Sequence, residues 1–256
     1  MEKNLINSLS VAMGEDDAIN EYIEVLIRGI EEKKISEERF QELAQKFGIK
    51  VNDVSVKCAI DKIRNNYIIS VYKNFEAFLG DLEKYLSNYG SNLEPKMDGE
   101  SKLKRIYKSI LDISRVNSQE YLLFLICDYY RLLRNYIAHA ESLNNLNVAY
   151  SKIQFRNEEL RGMFPKLNAP NRMGSIQFDD FILYTRAAKL LAEHFWENIE
   201  YDDEKIITVI DIKKYMKFKN NSKRLYASIK NEIQENFVIN DEKASVLIEK
   251  VLKKIV

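Results

Sequence analysis

The segment Arg134-Asn135-Tyr136-Ile137-Ala138-His139 gathers residue types suited to chemistry on a phosphate. Residues 118–140 around it carry a helical period. At about 3.6 residues per turn, Asp128, Arg131, Asn135 and His139 follow one another at helical spacing and form one polar stripe. Leu122, Leu125, Ile126, Tyr129, Leu133, Tyr136, Ile137 and Ala140 fall mostly on the other side, toward a core. Arg134 lies off the stripe centre, but its long side chain can reach around. One helix can thus present an imidazole, an amide and two guanidiniums to one surface.

That set suits cleavage of an RNA phosphodiester, whose 2′-hydroxyl is an internal nucleophile. The reaction then asks for proton transfer and for stabilisation of extra negative charge on phosphorus. Histidine titrates near neutral pH and can act as base or acid. Arginine presents a planar, permanently charged fork to phosphate oxygens. Base and acid are needed at once, and the segment holds one histidine. A symmetric homodimer that apposes two copies of this helix supplies two, so the expectation is a composite site.

Plainer accounts stand beside these. His139 is also a residue favoured at a helix C-terminus by the dipole. Arg131 is a candidate RNA contact and equally the partner of Asp128 in a weak intrahelical ion pair. His194, beside Leu190, Leu191 and Phe195, reads as structural, and Trp196 and the many tyrosines read as packing. Between Ile212 and Lys230 lie Lys213, Lys214, Lys217, Lys219, Lys223, Arg224 and Lys230 without an acidic residue, interleaved with Tyr215, Phe218 and Tyr226. Lys213, Lys214 and Lys217 are candidate RNA-binding residues, because such a stretch can follow a phosphate backbone while rings stack on bases. A solvated helical face is the alternative.

Several elements must position the motif. Ile19, Tyr22, Ile23, Val25, Leu26 and Ile30 give residues 15–34 an amphipathic period. A shorter helix runs from Ser36 to Phe47, closed by Gly48. Asp53 is a candidate cap for a long helix to about Asn88, followed by a loop from Gly90 to Gly99. Helices are expected at about 100–113 and 118–140, a less regular stretch at 141–178, and a strong helix from Asp179 or Asp180 to about Ile199. Asp202-Asp203-Glu204 marks a break before two or three short helices in 205–256, with a short strand considered near Ile206 to Ile210. The domain division expected is 1–52 as an N-terminal helical appendage, 53–200 as the main helical domain and 201–256 as a small C-terminal helical appendage.

Composition agrees with an all-α fold. The 256 residues include 8 Gly and 3 Pro, few for a chain of tight turns between strands. Lys+Arg and Asp+Glu are both 39, so overall charge gives no preference for nucleic acid. Cys58 and Cys127 lie in apolar helical stretches and are expected as buried free thiols. The absence of CxxC or any Cys/His cluster argues against a zinc site, and no metal or other cofactor is expected. No Walker A, GxGxxG, HExxH or GxSxG pattern occurs. The N-terminus lacks the apolar run of a signal peptide, and Asp128 and Arg131 interrupt the longest apolar stretch. The expectation is a cytoplasmic protein without a membrane partner.

Arg134-Asn135-x-x-x-His139 resembles the Arg-polar-x-x-x-His signature of HEPN proteins (higher eukaryotes and prokaryotes nucleotide-binding domain). The stretch from Tyr67 to Leu82 resembles the long first core helix of that family, and Phe181 to Phe195 its last core helix. The resemblance covers about 53–200. It implies an all-α, HEPN-like helical bundle that homodimerises and is often a metal-independent endoribonuclease. Members frequently serve as toxins or anti-phage effectors, so an antitoxin or defence-system partner is implied. It assigns catalysis to Arg134 and His139 and a supporting role to Asn135. A catalytically inactive HEPN module that binds RNA or a partner protein is the alternative.

Overall fold

The computed structural model describes residues 3–33, 36–51, 55–111, 114–115, 118–139, 142–237, 239 and 241–255. Among these the regular structure is helical and no named strand occurs. In chain order the helices are α1 (Lys3–Glu32), α2 (Glu37–Lys46), α3 (Val56–Tyr89), α4 (Lys102–Ile110), α5 (Gln119–His139), α6 (Leu143–Gln154), α7 (Asn157–Met163), α8 (Phe178–Glu197), α9 (Asp203–Val209), α10 (Ile212–Tyr215), α11 (Ser222–Asn236) and α12 (Asp241–Ile255). No helix among the described residues is long and apolar enough to cross a membrane. The all-α class expected from composition and periodicity is what the chain adopts.

Helix starts are set by short polar side chains that satisfy the first free N–H groups. Ser36 Oγ accepts from Arg39 N, Ser101 Oγ from Lys104 N, Ser118 Oγ from Tyr121 N and Ser142 Oγ from Asn145 N. Ser55 Oγ accepts from Cys58 N at 3.1 Å and caps α3, whereas Asp53 lies outside the described residues. Gly48 (φ 69°) closes α2, with Ile49 N donating to Ala44 O and Gly48 N to Gln45 O, the backbone pattern that favours glycine after a helix.

The chain divides into two compact units. Leu9–Ala77 and Arg115–Leu191 form the first, which contains the motif; Met1–Ser8, Phe78–Ser114 and Ala192–Val256 form the second. In the motif unit, Tyr67, Ile68, Val71 and Phe75 of α3 form a core with Leu122, Ile126, Tyr130 and Leu133 of α5 and Phe181, Tyr184 and Ala188 of α8. Tyr130 stacks on Tyr184 with centroids 4.8 Å apart. Asp180, fully buried in the first turn of α8, ties this core to the loop before it. Its carboxylate accepts from Tyr130 Oη, Asn171 N, Asn171 Nδ2 and Gln177 N at 2.7–2.9 Å. Burial nevertheless holds its pKa above the ordinary 3.8. In the second unit, Tyr85 packs on Trp196 and Tyr201, Tyr89 on Phe237, and Leu225, Ile229 and Ile233 of α11 are buried alongside Leu247, Ile248 and Val251 of α12.

Three expectations need correction. Residues 143–163, expected as irregular, form α6 and α7; asparagines at 144, 145 and 147 weaken local helix propensity, and burial of Leu146, Ala149 and Ile153 outweighs it. Ile206 to Val209 is helix, not strand: Asp202 Oδ1 caps α9 by accepting from Glu204 N and Lys205 N, and Ile206 and Ile207 are buried. Cys58 is exposed, while Cys127 is buried as expected. α1 also carries an outward apolar stripe: Ile19, Tyr22, Val25 and Leu26 are exposed, while Leu9, Met13 and Ile27 are buried beside Asn20 and Glu24.

Candidate active site

α5 positions the motif residue by residue. Its middle, from Leu122 to Cys127, is buried, and Tyr129, Tyr130 and Leu133 continue the inward face. From Arg134 onward the helix emerges, and His139, its last residue, is exposed. Ala140 lies outside the described residues.

Arg134, off the stripe on a helical wheel, does reach around. Its Nη1 donates to Asn135 Oδ1 at 3.2 Å and lies 3.3 Å from His139 Nε2. A guanidinium can only donate, so Nε2 accepts in this arrangement and a neutral imidazole carries its proton on Nδ1. On its other side the guanidinium carbon stands 4.7 Å from the ring centroid of Tyr72 in α3, within cation–π range. Arg134 Nε is buried and makes no hydrogen bond. The group is therefore fixed on two sides while part of its donor fork stays unused.

Tyr72 is itself held. Burial pushes its pKa up, and Glu76, one turn along α3 and accepting from its hydroxyl, pushes it further. Sequence reasoning missed both residues, because nothing in the spacing of α5 says which part of α3 it meets. The only signal was the apolar period of α3, which places Ile68, Val71 and Phe75 in the core and leaves Tyr72 beside them. Nearby, Tyr184 Oη is buried without a partner, in the field of Tyr72, Glu76 and Arg131.

Arg131 donates through Nε to Asp128 Oδ1 at 2.8 Å, so the intrahelical ion pair is present. Lys213, Lys214 and Lys217 are exposed and belong to the second unit. Lys214 pairs with Glu232 at 3.1 Å and Lys230 with Asp241 at 3.1 Å, so acids distant in sequence neutralise part of the basic stretch. Its rings are engaged too. Tyr215 is buried, Tyr226 donates to Ser245 Oγ at 3.0 Å, and Lys217 and Arg224 lie over Phe218. The geometry leaves Lys213 and Lys217 available for phosphate and offers little for base stacking. Among the described residues no cluster of three or more His, Cys, Asp or Glu is placed to hold a metal ion.

Chemically, α5 and α3 bring together a guanidinium fork, an exposed imidazole with its Nε2 lone pair beside that fork, and an amide that holds the fork. No protein-family model, curated protein or solved structure matches the chain. The HEPN resemblance therefore rests on the residues quoted from the sequence.

Proposed function

We propose that the chain is a metal-independent endoribonuclease of the HEPN type, acting as a toxin or phage-defence effector through a composite site in a homodimer. The observation that carries this reading is the Arg134–His139 contact, with Arg134 braced by Asn135 and Tyr72. In the proposed reaction one His139 removes the proton from a 2′-hydroxyl, and a bond forms between that oxygen and the adjacent phosphorus. The bond from phosphorus to the 5′-oxygen breaks, and the partner's His139 gives that oxygen a proton. The products are a 2′,3′-cyclic phosphate and a free 5′-hydroxyl. Arg134 stabilises the charge that builds on the non-bridging oxygens.

The test is cleavage of RNA in EDTA by wild type and by His139→Ala, with the ends of the products mapped. Cleavage by wild type alone, leaving cyclic phosphate ends, supports the proposal. Activity that appears only with added Mg²⁺ or Mn²⁺, or 5′-phosphate products, overturns it. RNA binding without cleavage would instead fit the inactive module.

A further inference from the structure

The inward face of α1 is mixed: Leu9, Met13 and Ile27 are buried beside Asn20 and Glu24. Asn20 donates to Ser70 Oγ at 3.3 Å, Asn74 donates to Asp16 Oδ2 at 2.8 Å, Glu24 pairs with Arg64 at 3.0 Å, and Asp17 with Lys189 at 3.1 Å. These contacts to α3 and α8 hold the helix in a rotation that leaves a second, apolar stripe outside. Ile19 is 59% exposed, Tyr22 69%, Val25 68% and Leu26 53%. At about 100° per residue these four share one stripe with Ala18 and Gly29. Such a contiguous apolar strip on a surface helix marks a contact site.

Charges of opposite sign flank these four residues. Glu15 and Lys33 are both exposed, and among the described residues neither makes an ion pair. Lys33 is the first residue after α1, with its N–H still donating to Gly29 O; eighteen residues from Glu15, about five turns, it falls on the same line. Two copies of this face laid parallel would set Glu15 against Glu15 and Lys33 against Lys33. Laid antiparallel they set unlike charges together at both ends.

We infer that this face of α1 is an interface with a second copy of the chain, packed antiparallel about a two-fold axis near residue 24. Residue pairs then sum to 48, from 15 + 33. Glu15 faces the partner's Lys33, Tyr22 faces the partner's Leu26, and Ile19 faces the partner's Gly29, a bulky side chain over one without Cβ. A two-fold contact repeats each pair, so one complementary charge pair serves twice. Ser70 and Asn74, which meet α1, lie about 200° around α3 from Tyr72, which meets Arg134. Pairing through α1 therefore leaves the motif surface free, and the inference stands independently of the nuclease reading.

Sedimentation equilibrium of the full chain tests it, with assembly mass and dissociation constant as readouts. Tyr22→Glu should halve the mass of the wild-type assembly and leave helical circular dichroism unchanged. Glu15→Lys and Lys33→Glu should each raise the dissociation constant by about tenfold, since two repulsive pairs replace two attractive ones. The double variant Glu15→Lys/Lys33→Glu should return it to the wild-type value. A monomeric wild type, a mass unchanged by Tyr22→Glu, or a double variant as weak as either single overturns the inference. So does loss of binding to phosphatidylserine vesicles in Tyr22→Glu without a change in mass, which would give the face to a lipid surface.

Discussion

Arg134 stands over the ring of Tyr72, 4.7 Å from its centroid, while its Nη1 reaches His139 on the other side. The ring therefore sets where the guanidinium sits relative to the imidazole. A cation–π contact of this kind is worth about 0.5–2 kcal/mol. Tyr72→Leu should lower kcat for RNA cleavage by roughly twofold to thirtyfold with a smaller effect on KM. Tyr72→Phe keeps the ring and should stay near wild type. Equal losses in both variants would place the role in the hydroxyl and Glu76 instead.

His139 and Arg134 separate catalysis from stability. His139 is exposed, so His139→Ala should shift Tm by no more than about 1–2 °C. Its cost in activity should be roughly 10²–10⁴-fold, the usual worth of an acid–base group. Arg134 differs, because its Nε is buried and its guanidinium lies over Tyr72. Arg134→Ala should remove activity and also lower Tm measurably. Thermal melts of both variants beside the cleavage assay check the contrast, and near-full activity in either would return that residue to a structural role.

How much of this was legible in the sequence depends on the range of the interaction. The polar stripe of α5, its junction with His139 and the reach of Arg134 follow from helical spacing alone, and they hold. The start of α8 near Asp179 and Asp180 and the stop at Gly48 follow from local capping chemistry. Tyr72 and Glu76 were not legible, because the register between α3 and α5 is fixed by packing around Ile68, Val71 and Leu133. Which face of α1 is buried was not legible for a similar reason. Periodicity reports that a helix has two faces, and only the partners Ser70, Asn74, Arg64 and Lys189 decide which is buried.

Asp180 offers a prediction in pH. Its folded pKa is raised, chiefly by burial, while an unfolded chain titrates near 3.8. The folded state thus holds this proton more firmly than the unfolded one. The sign follows: the stability linked to this proton is fully present below the unfolded pKa and is lost as pH rises through the folded value. Relative to Asp180→Asn, which does not titrate, wild type should lose stability as pH climbs from about 3.8 through the range just above it. Asp180→Ala should cost about 2–4 kcal/mol at neutral pH, since four donors lose their acceptor. Chemical denaturation across pH reads both, and a flat difference between wild type and Asp180→Asn would contradict the raised pKa.

The basic stretch gives a graded expectation. If it holds RNA, each phosphate contact removed should flatten the salt dependence of binding. Lys213→Ala and Lys217→Ala should each reduce the slope more than Lys214→Ala, because Lys214 is already paired with Glu232. Titrations with uncleavable RNA at several salt concentrations measure this. Unchanged affinity and slope in the triple variant would assign the stretch to solvent.

The composite site can be tested by mixing chains. If one His139 is the base and the partner's His139 the acid of the same reaction, a dimer with one His139→Ala chain lacks half of every acid–base pair. Each member is worth roughly 10²–10⁴-fold, so the mixed dimer should be nearly inactive. Two differently tagged chains, co-expressed and purified through both tags, provide it. Half activity in every mixed species would mean one independent site per chain, and the single histidine of each motif would then need another proton donor on its own chain.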